Sequence, residues 1–428
     1  MNKEGIKNII LDQKEELVSL RERKRLIERI CFNTYKSFLE SNQIKVIIGP
    51  RRCGKSILAS QLLQNKLFAY VNFDDEKLVN LSSDDLNDVL EVLYEVYGDF
   101  KYVLLDEIQN INGWELFVNR LQRKGFNIIV TGSNSHLLSK ELSTHLTGRH
   151  IKLELFPFSF KEFITYDNIE VENIDSISTK NRAILKKKLN EYAELGGFPE
   201  VIEDPLNKTH YLQSLYSDII NNDIVIRHKI RYAKTLKDIA TSLMSSISSQ
   251  VSYTKIKNIF HLKSVHTALN YLSFLEESYL FFLMERFSFK SKERVIAPRK
   301  IYAIDTGMID TLSVNFSQNI GKIYENIVFL ELMRRKKEEK YDLFYWQNVN
   351  KNEVDFVIKC GKEAKELIQV CYDISNFDTK KREIKALINA SKELKCKNLL
   401  IITYDYSGEE KVKGKMITYI PLWKWLLK

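Results

Sequence analysis

The chain has 428 residues, 44% of them apolar, with only 15 glycines and 6 prolines. Such a composition excludes a disordered or fibrous protein, and the length exceeds one ordinary core, so three units are expected. The net charge is +9, and its placement along the chain is informative. Five cysteines (Cys31, Cys53, Cys360, Cys371, Cys396) form no CxxC pair and the histidines do not cluster, which argues against a zinc site or a disulfide framework. The stretch from Met1 to Arg25 is charged where a signal peptide would be apolar, and no apolar run approaches the roughly 18 residues of a spanning helix. A cytoplasmic protein with no membrane partner is expected.

In chain order, the first strong signal is the β-branched run IKVII at residues 44–48, a buried-strand pattern. GPRRCGKS follows directly (Gly49, Pro50, Arg51, Arg52, Cys53, Gly54, Lys55, Ser56), and ILASQLLQNK then has helical spacing. This is the strand, loop, helix context that the GxxxxGK[ST] pattern requires. Gly49 and Gly54 allow the backbone to wrap around phosphates, with amide groups and a helix N-terminus aimed at negative charge. Lys55 is expected to reach the β and γ phosphates of ATP, and the Ser56 hydroxyl to ligate Mg²⁺. A second apolar run, KYVLL at 101–105, ends in Asp106 and Glu107. Asp106 is the candidate for the Mg²⁺ shell and Glu107 for orienting or deprotonating the attacking water. A third, NIIV at 127–130, leads to Thr131, Ser133 and Asn134, placed either to bond the γ-phosphate or water, or to cap the next helix.

A charged helical linker is expected over roughly 160–225. Between Arg227 and Lys300 there are 14 Lys or Arg against 5 Asp or Glu, an excess of nine that equals that of the whole chain. Such localisation is the electrostatic footprint of a DNA-facing surface, although a solvated basic face would look the same. Apolar spacing over Leu236, Ile239, Leu243 and Ile247, then Ile256 and Ile259, reads as helical. A turn at Leu262–Ser264, the helix VHTALNYLSFLEES and the strand-like runs YLFFLME and RKIYAID complete a winged helix-turn-helix pattern. His266, Thr267 and Asn270 fall on the exposed side of its second helix. Lys255, Lys257, Lys263, Lys290, Lys292 and Arg294 are candidate phosphate contacts. DNA contact, protein docking and a lid for the ATPase all fit this pattern.

From Ile320 to Lys428 the order is a long helix, three strands, a helix and further strands, a separate α/β unit. The helix carries Glu325, the strand NEVDFVIK carries Glu353 and Asp355, and ELIQVCYDI places Gln369 and Cys371 on one face.

Together the Walker A loop, DEIQ, TGSN and LTGRHIKLELFPFSFKEF resemble the AAA+ domain of a large bacterial and archaeal ATPase family. Its pattern continues here in LGGFPE (Leu195–Glu200), DIINNDIV (Asp218–Val225) and IYAIDTG (Ile301–Gly307). The resemblance implies ATP and Mg²⁺ as ligands and Arg149 as a candidate arginine finger. A finger acts across a subunit boundary, so a homo-oligomer is implied with it; paired locally with an acid, Arg149 would have no such role. The C-terminal order resembles the PD-(D/E)xK nuclease fold, with Glu325, Asp355 and Gln369 at the matching positions and Cys371 where that fold has its lysine. A displaced lysine would have to come from Lys359, Lys365, Lys380 or Lys381; without one, no DNA cutting is expected. The expected architecture is therefore α/β: an AAA+ P-loop ATPase core with helical lid over 1–225, a winged helix over 226–310 and a PD-(D/E)xK-like α/β domain over 320–428. The expected function is ATP hydrolysis coupled to movement of the C-terminal domains. A nucleotide-switched DNA-binding regulator with negligible turnover and an ATP-gated DNA nuclease are the alternatives.

Overall fold

The computed structural model describes residues 2–23, 26–133, 146, 148–171, 173–313 and 320–428. The chain divides into two compact units, one of Met1–Pro157 with Glu277–Tyr279, the other of Phe158–Glu276 with Leu280–Lys428. The stretch after Pro157, expected to stay with the ATPase core as far as residue 225, is thus counted with the later segments.

In the first unit five strands, β1 (Ile44–Ile48), β2 (Phe68–Asn72), β3 (Tyr102–Asp106), β4 (Asn127–Gly132) and β5 (His150–Glu154), form a parallel sheet in the order β2-β3-β4-β1-β5. β1, β3 and β4 are buried along their whole length, which is why they read as continuous apolar runs. Because β3, β4 and β1 are neighbours, the loops leaving their C-terminal ends lie side by side, and those loops are GPRRCGKS, Asp106–Glu107 and Thr131–Ser133. The sheet's β2 edge is tied to the helix Lys3–Arg23. There the Gln13 amide accepts from the Asn72 N–H (2.9 Å) and donates to its carbonyl (2.9 Å), mimicking a strand neighbour.

In the second unit β6 (Ser249–Val251), β7 (Phe281–Met284) and β8 (Arg299–Ala303) form an antiparallel sheet in the order β6-β8-β7. The helices Ala233–Met244, Tyr253–Ile259 and Val265–Glu277 precede β7. β6 interrupts what the apolar spacing presented as continuous helix; its three residues are strand only because β8 supplies the ladder. The second helix starts as expected, with Ser264 Oγ accepting from the Thr267 N–H (3.1 Å). Further on, β9 (Asp342–Gln347), β10 (Glu353–Cys360), β11 (Glu363–Cys371), β12 (Leu399–Thr403), β13 (Gly408–Val412) and β14 (Lys415–Pro421) form a mixed sheet ordered β13-β14-β12-β11-β10-β9. The helix Phe377–Leu394 packs Ala386, Leu387 and Ala390 into its core.

Two of the recurring motifs meet here. Asp305 of IYAIDTG accepts from the N–H groups of Gly197 (2.6 Å) and Met308 (3.0 Å), so it caps the helix Thr306–Leu312 and pins LGGFPE at once. A Cβ on Gly197 would lie 2.3 Å from the Phe158 carbonyl oxygen, so only glycine permits this approach. These motifs build a junction in the backbone. DIINNDIV runs into a π-helix, Ile219–Ile226, that buries Ile219, Ile220 and Ile224.

Candidate active site

The loop after β1 is closely backed. A Cβ on Gly49 would fall 2.1 Å from the Leu155 carbonyl oxygen, and Arg52 adopts a left-handed conformation (φ 64°). The helix Lys55–Leu62 starts immediately after Gly54. Cys53 faces inward, its Sγ 3.5 Å from the Leu155 carbonyl oxygen. The Lys55 ammonium, 5% exposed, donates to the carbonyls of Pro50 (3.0 Å) and Gly49 (3.3 Å) and lies 3.4 Å from Glu107 Oε1. Burial opposes the ammonium, but Glu107 and Asp106 outweigh it and hold Lys55 above the ordinary lysine range.

Asp106, 3% exposed, accepts from the Thr131 hydroxyl and from Tyr70 OH (3.3 Å), and Ser56 also bonds to it. Burial and the Glu107 charge push its carboxyl up. Glu107 adopts a left-handed conformation (φ 50°), its N–H donating to Thr131 Oγ1 (3.0 Å) and its carboxylate accepting from Gln109 and from the Ser133 N–H (3.1 Å). Burial pushes Glu107 up, but Lys55, then Gln109 and Arg51, outweigh it and hold the carboxyl below its usual range. Among the described residues the buried Ser133 hydroxyl has no hydrogen-bond partner, an unusual state for a polar atom and one that a ligand oxygen would relieve. Ser56 and Asp106 present hard oxygen donors, which suit Mg²⁺. Asn134 lies outside the described residues.

One group here was not foreseen from the sequence. Arg29 is buried and donates to the carbonyls of Cys53 (3.0 Å) and Phe156 (2.6 Å), clamping the loop from behind. Arg51 reaches Asp74 (3.2 Å). No local pattern marks Arg29, which lies in a charged stretch. Arg149 is at the other edge of the sheet, where its carbonyl accepts from the Ile44 N–H (2.8 Å) and its guanidinium meets Asn119 (3.4 Å) beside a cavity of about 290 Å³. The length of β1 separates it from its own P-loop.

In the second unit Glu325 and Asp355, the two acids of the nuclease-like pattern, converge with Glu353 around a lysine from β8. The Lys300 ammonium, 1% exposed, lies 2.8 Å from Glu325, 2.7 Å from Glu353 and 2.8 Å from Asp355. Tyr302 OH donates to Glu325 (2.7 Å), the Val370 N–H to Asp355 (2.9 Å) and Gln250 to Glu353 (2.6 Å), while Gln369 bridges the Asp355 N–H (3.2 Å) and Glu383 (2.6 Å). Burial and Asp355 push Glu325 up to about 8. None of the four expected lysines provides this cation. Lys359 pairs with Asp342, Lys365 with Glu339 and Lys380 with Glu410, and Lys381 lies over the Phe377 ring. Burial pushes the Cys371 thiol up to about 12, so it is neutral. Lys300 was missed in the sequence: β8 is buried on both faces from Lys300 to Ala303, so alternation gives no face on which the lysine would stand out. Among the described residues, no group of three or more His, Cys, Asp or Glu is arranged to hold a metal ion.

On the basic segment Lys255, Lys263, His266, Lys290 and Lys292 are exposed, and Lys257, Thr267, Asn270 and Arg294 half-buried. Ile259, Val265, Leu269, Phe289, Val295 and Ile296 are exposed among them, so the face is mixed. No helix of the described residues is long and apolar enough to cross a membrane.

A family model described as an AAA domain matches residues 41–164. Two domains of unknown function, DUF8612 and DUF4143, match 186–319 and 320–425. The uncharacterized protein MJ1544 of Methanocaldococcus jannaschii is 43% identical over 403 residues, covering 90% of this chain and 88% of the relative. An uncharacterized protein of Haemophilus influenzae is 31% identical over 408 residues, covering 90% and 95%. Among solved structures, the Walker-type ATPase PABY2304 of Pyrococcus abyssi is similar at a TM-score of 0.41 and 15% identity, covering 68% of this chain and 97% of that one. The ORC1 protein of Aeropyrum pernix, in complex with DNA, follows at 0.32 and 11%, covering 69% and 94%.

Proposed function

The chain belongs to the family of AAA-domain proteins that includes MJ1544 of Methanocaldococcus jannaschii, and we propose that it binds ATP with Mg²⁺ and hydrolyses it. The observation that carries this reading is Lys55, a buried ammonium whose present partners are loop carbonyls and one carboxylate, beside a Ser133 hydroxyl with no partner. The amides of Arg51, Arg52, Cys53, Gly54 and Lys55 cradle the phosphates, and Ser56 and Asp106 hold Mg²⁺. When bound, Mg²⁺ offsets charge on the β and γ phosphates. Lys55 then exchanges Glu107 for phosphate oxygens. That exchange removes the main attraction holding the Glu107 carboxyl low, so Glu107 becomes a better base at the moment it is needed to orient and deprotonate water. Ser133, with Thr131 and Asn134, senses the γ-phosphate.

Hydrolysis drives movement of the later segments. The order helix, β6, helix, helix, β7, a short helix (Ser291–Ile296) and β8 resembles that of a winged helix with a helix inserted between its last two strands, which supports a DNA- or protein-binding role for 227–300. Of its fourteen Lys and Arg, Lys300 is spent internally, while Arg299 pairs with Glu285 and Lys290 with Glu293. Arg149, distant from its own P-loop, serves as the finger for a second copy. The sealed acids around Lys300 speak against cutting by the nuclease-like sheet. Steady-state turnover, with and without DNA, tests the reading. Lys55→Ala stays folded and loses turnover by about a hundredfold or more, and Glu107→Gln keeps nucleotide binding while losing hydrolysis. Parent-like turnover in Lys55→Ala refutes the assignment.

A further inference from the structure

The compact unit that holds the P-loop includes three residues from far along the chain, Glu277–Tyr279. They follow directly on the helix Val265–Glu277, and β7 begins at Phe281. Tyr279 is 2% exposed and left-handed (φ 62°), a conformation that a bulky residue keeps only where its surroundings impose it. Its hydroxyl donates to Glu154 Oε1 at 2.6 Å.

Glu154 ends β5, and the residues from it to Phe156 form the backing of the P-loop. Glu154 is the register partner of Ile48, and its carbonyl accepts from Tyr35 OH (2.7 Å). The Leu155 N–H donates to the Ile48 carbonyl (2.8 Å), and the Leu155 carbonyl accepts from Cys53 and leaves Gly49 no room for a Cβ. The Phe156 carbonyl receives Arg29, whose other nitrogen holds the Cys53 carbonyl. Any shift of the loop as Lys55 changes partners therefore presses on residues 154–156, since packed interiors pass strain on. Tyr279 is bonded to the first of them.

We propose that Tyr279, through Glu154, is the positioning residue that transmits the state of the P-loop to the helix Val265–Glu277 and to β7. This rests on the ATP reading and names the regulation of that site: nucleotide on one side, the face carrying His266 and Thr267 on the other. The bond joins a neutral hydroxyl to a carboxylate, so it can be cut without altering any group that touches ATP.

The test is hydrogen exchange on the full chain, with and without ATPγS and Mg²⁺, alongside a direct titration of ATPγS binding. In the parent, nucleotide changes exchange across residues 265–284. In Tyr279→Phe binding persists and that response is lost; Glu154→Ala, which removes the acceptor, gives the same loss should Tyr279→Phe fold poorly. Glu154→Gln restores it, since an amide oxygen still accepts from the phenol. Nucleotide bound with no response in the parent, or a parent-like response in Tyr279→Phe or Glu154→Ala, overturns the proposal. No binding of ATPγS by the parent brings down the ATP reading, and this one with it.

Discussion

Lys55 and Lys300 are both buried ammonium groups among carboxylates, yet their surroundings differ in what can be exchanged. Lys55 faces two backbone carbonyls and one carboxylate, Glu107, beside an unpaired hydroxyl and a loop of backbone amides. Phosphate oxygens can replace those partners, while Glu107 keeps Gln109 and the Ser133 N–H. Lys300 faces three carboxylates, each tied down by further donors, and its removal would strand them all. A lysine among acids is therefore no evidence of a reactive site by itself. What counts is whether substrate can take the place of its partners, and the first lysine sits in a loop whose backbone amides can donate to phosphate.

The largest effect that would break this comparison is in Lys300. Lys300→Met should lose about 3–5 kcal/mol of stability in urea denaturation, the usual cost of an uncompensated buried charge, with nucleotide binding retained. Adding Glu325→Gln and Asp355→Asn should recover much of it; a Lys300→Met protein as stable as the parent would mean the acids are not sealed. Plasmid incubated with the parent and Mg²⁺ or Mn²⁺ should remain intact. Cleavage that disappears in Asp355→Ala would make the second lysine part of a working nuclease site.

The pH dependence sharpens the contrast further. A Glu325 carboxyl raised to about 8 contributes stability that is complete below its unfolded value near 4.5 and is lost as pH rises through 8. Glu325→Gln should flatten that decline, read as melting temperature between pH 5 and 9; identical slopes would place Glu325 in water. The smallest effect belongs to Ser133. Its hydroxyl makes no hydrogen bond among the described residues, so Ser133→Ala should leave stability unchanged while lowering ATP turnover, by about tenfold if it serves as a polar contact to the transition state. Unchanged turnover removes it from the site.

The nucleotide loop, the acids of Asp106–Glu107 and Thr131–Ser133 were legible in the sequence because each is a contiguous segment that ends a buried strand, and a parallel sheet sets such ends side by side. Alternation on β11 likewise put Gln369 and Cys371 on one face, since period two needs no knowledge of neighbours, whereas Glu325, Asp355 and Gln369 were picked out through the resemblance to the PD-(D/E)xK fold. Only the tertiary structure decided the rest. Strand β6 exists because β8 pairs with it, against the helical spacing of its surroundings. Arg29, Lys300 and Tyr279 act on partners 24 to 127 residues away, and no local pattern records which backbone carbonyl or carboxylate a long side chain will meet. Lys300 shows the reason most plainly. A lysine in a strand buried on both faces demands a counter-charge, but the three acids that supply it come from a helix and a strand later in the chain, and only folding brings them to one point.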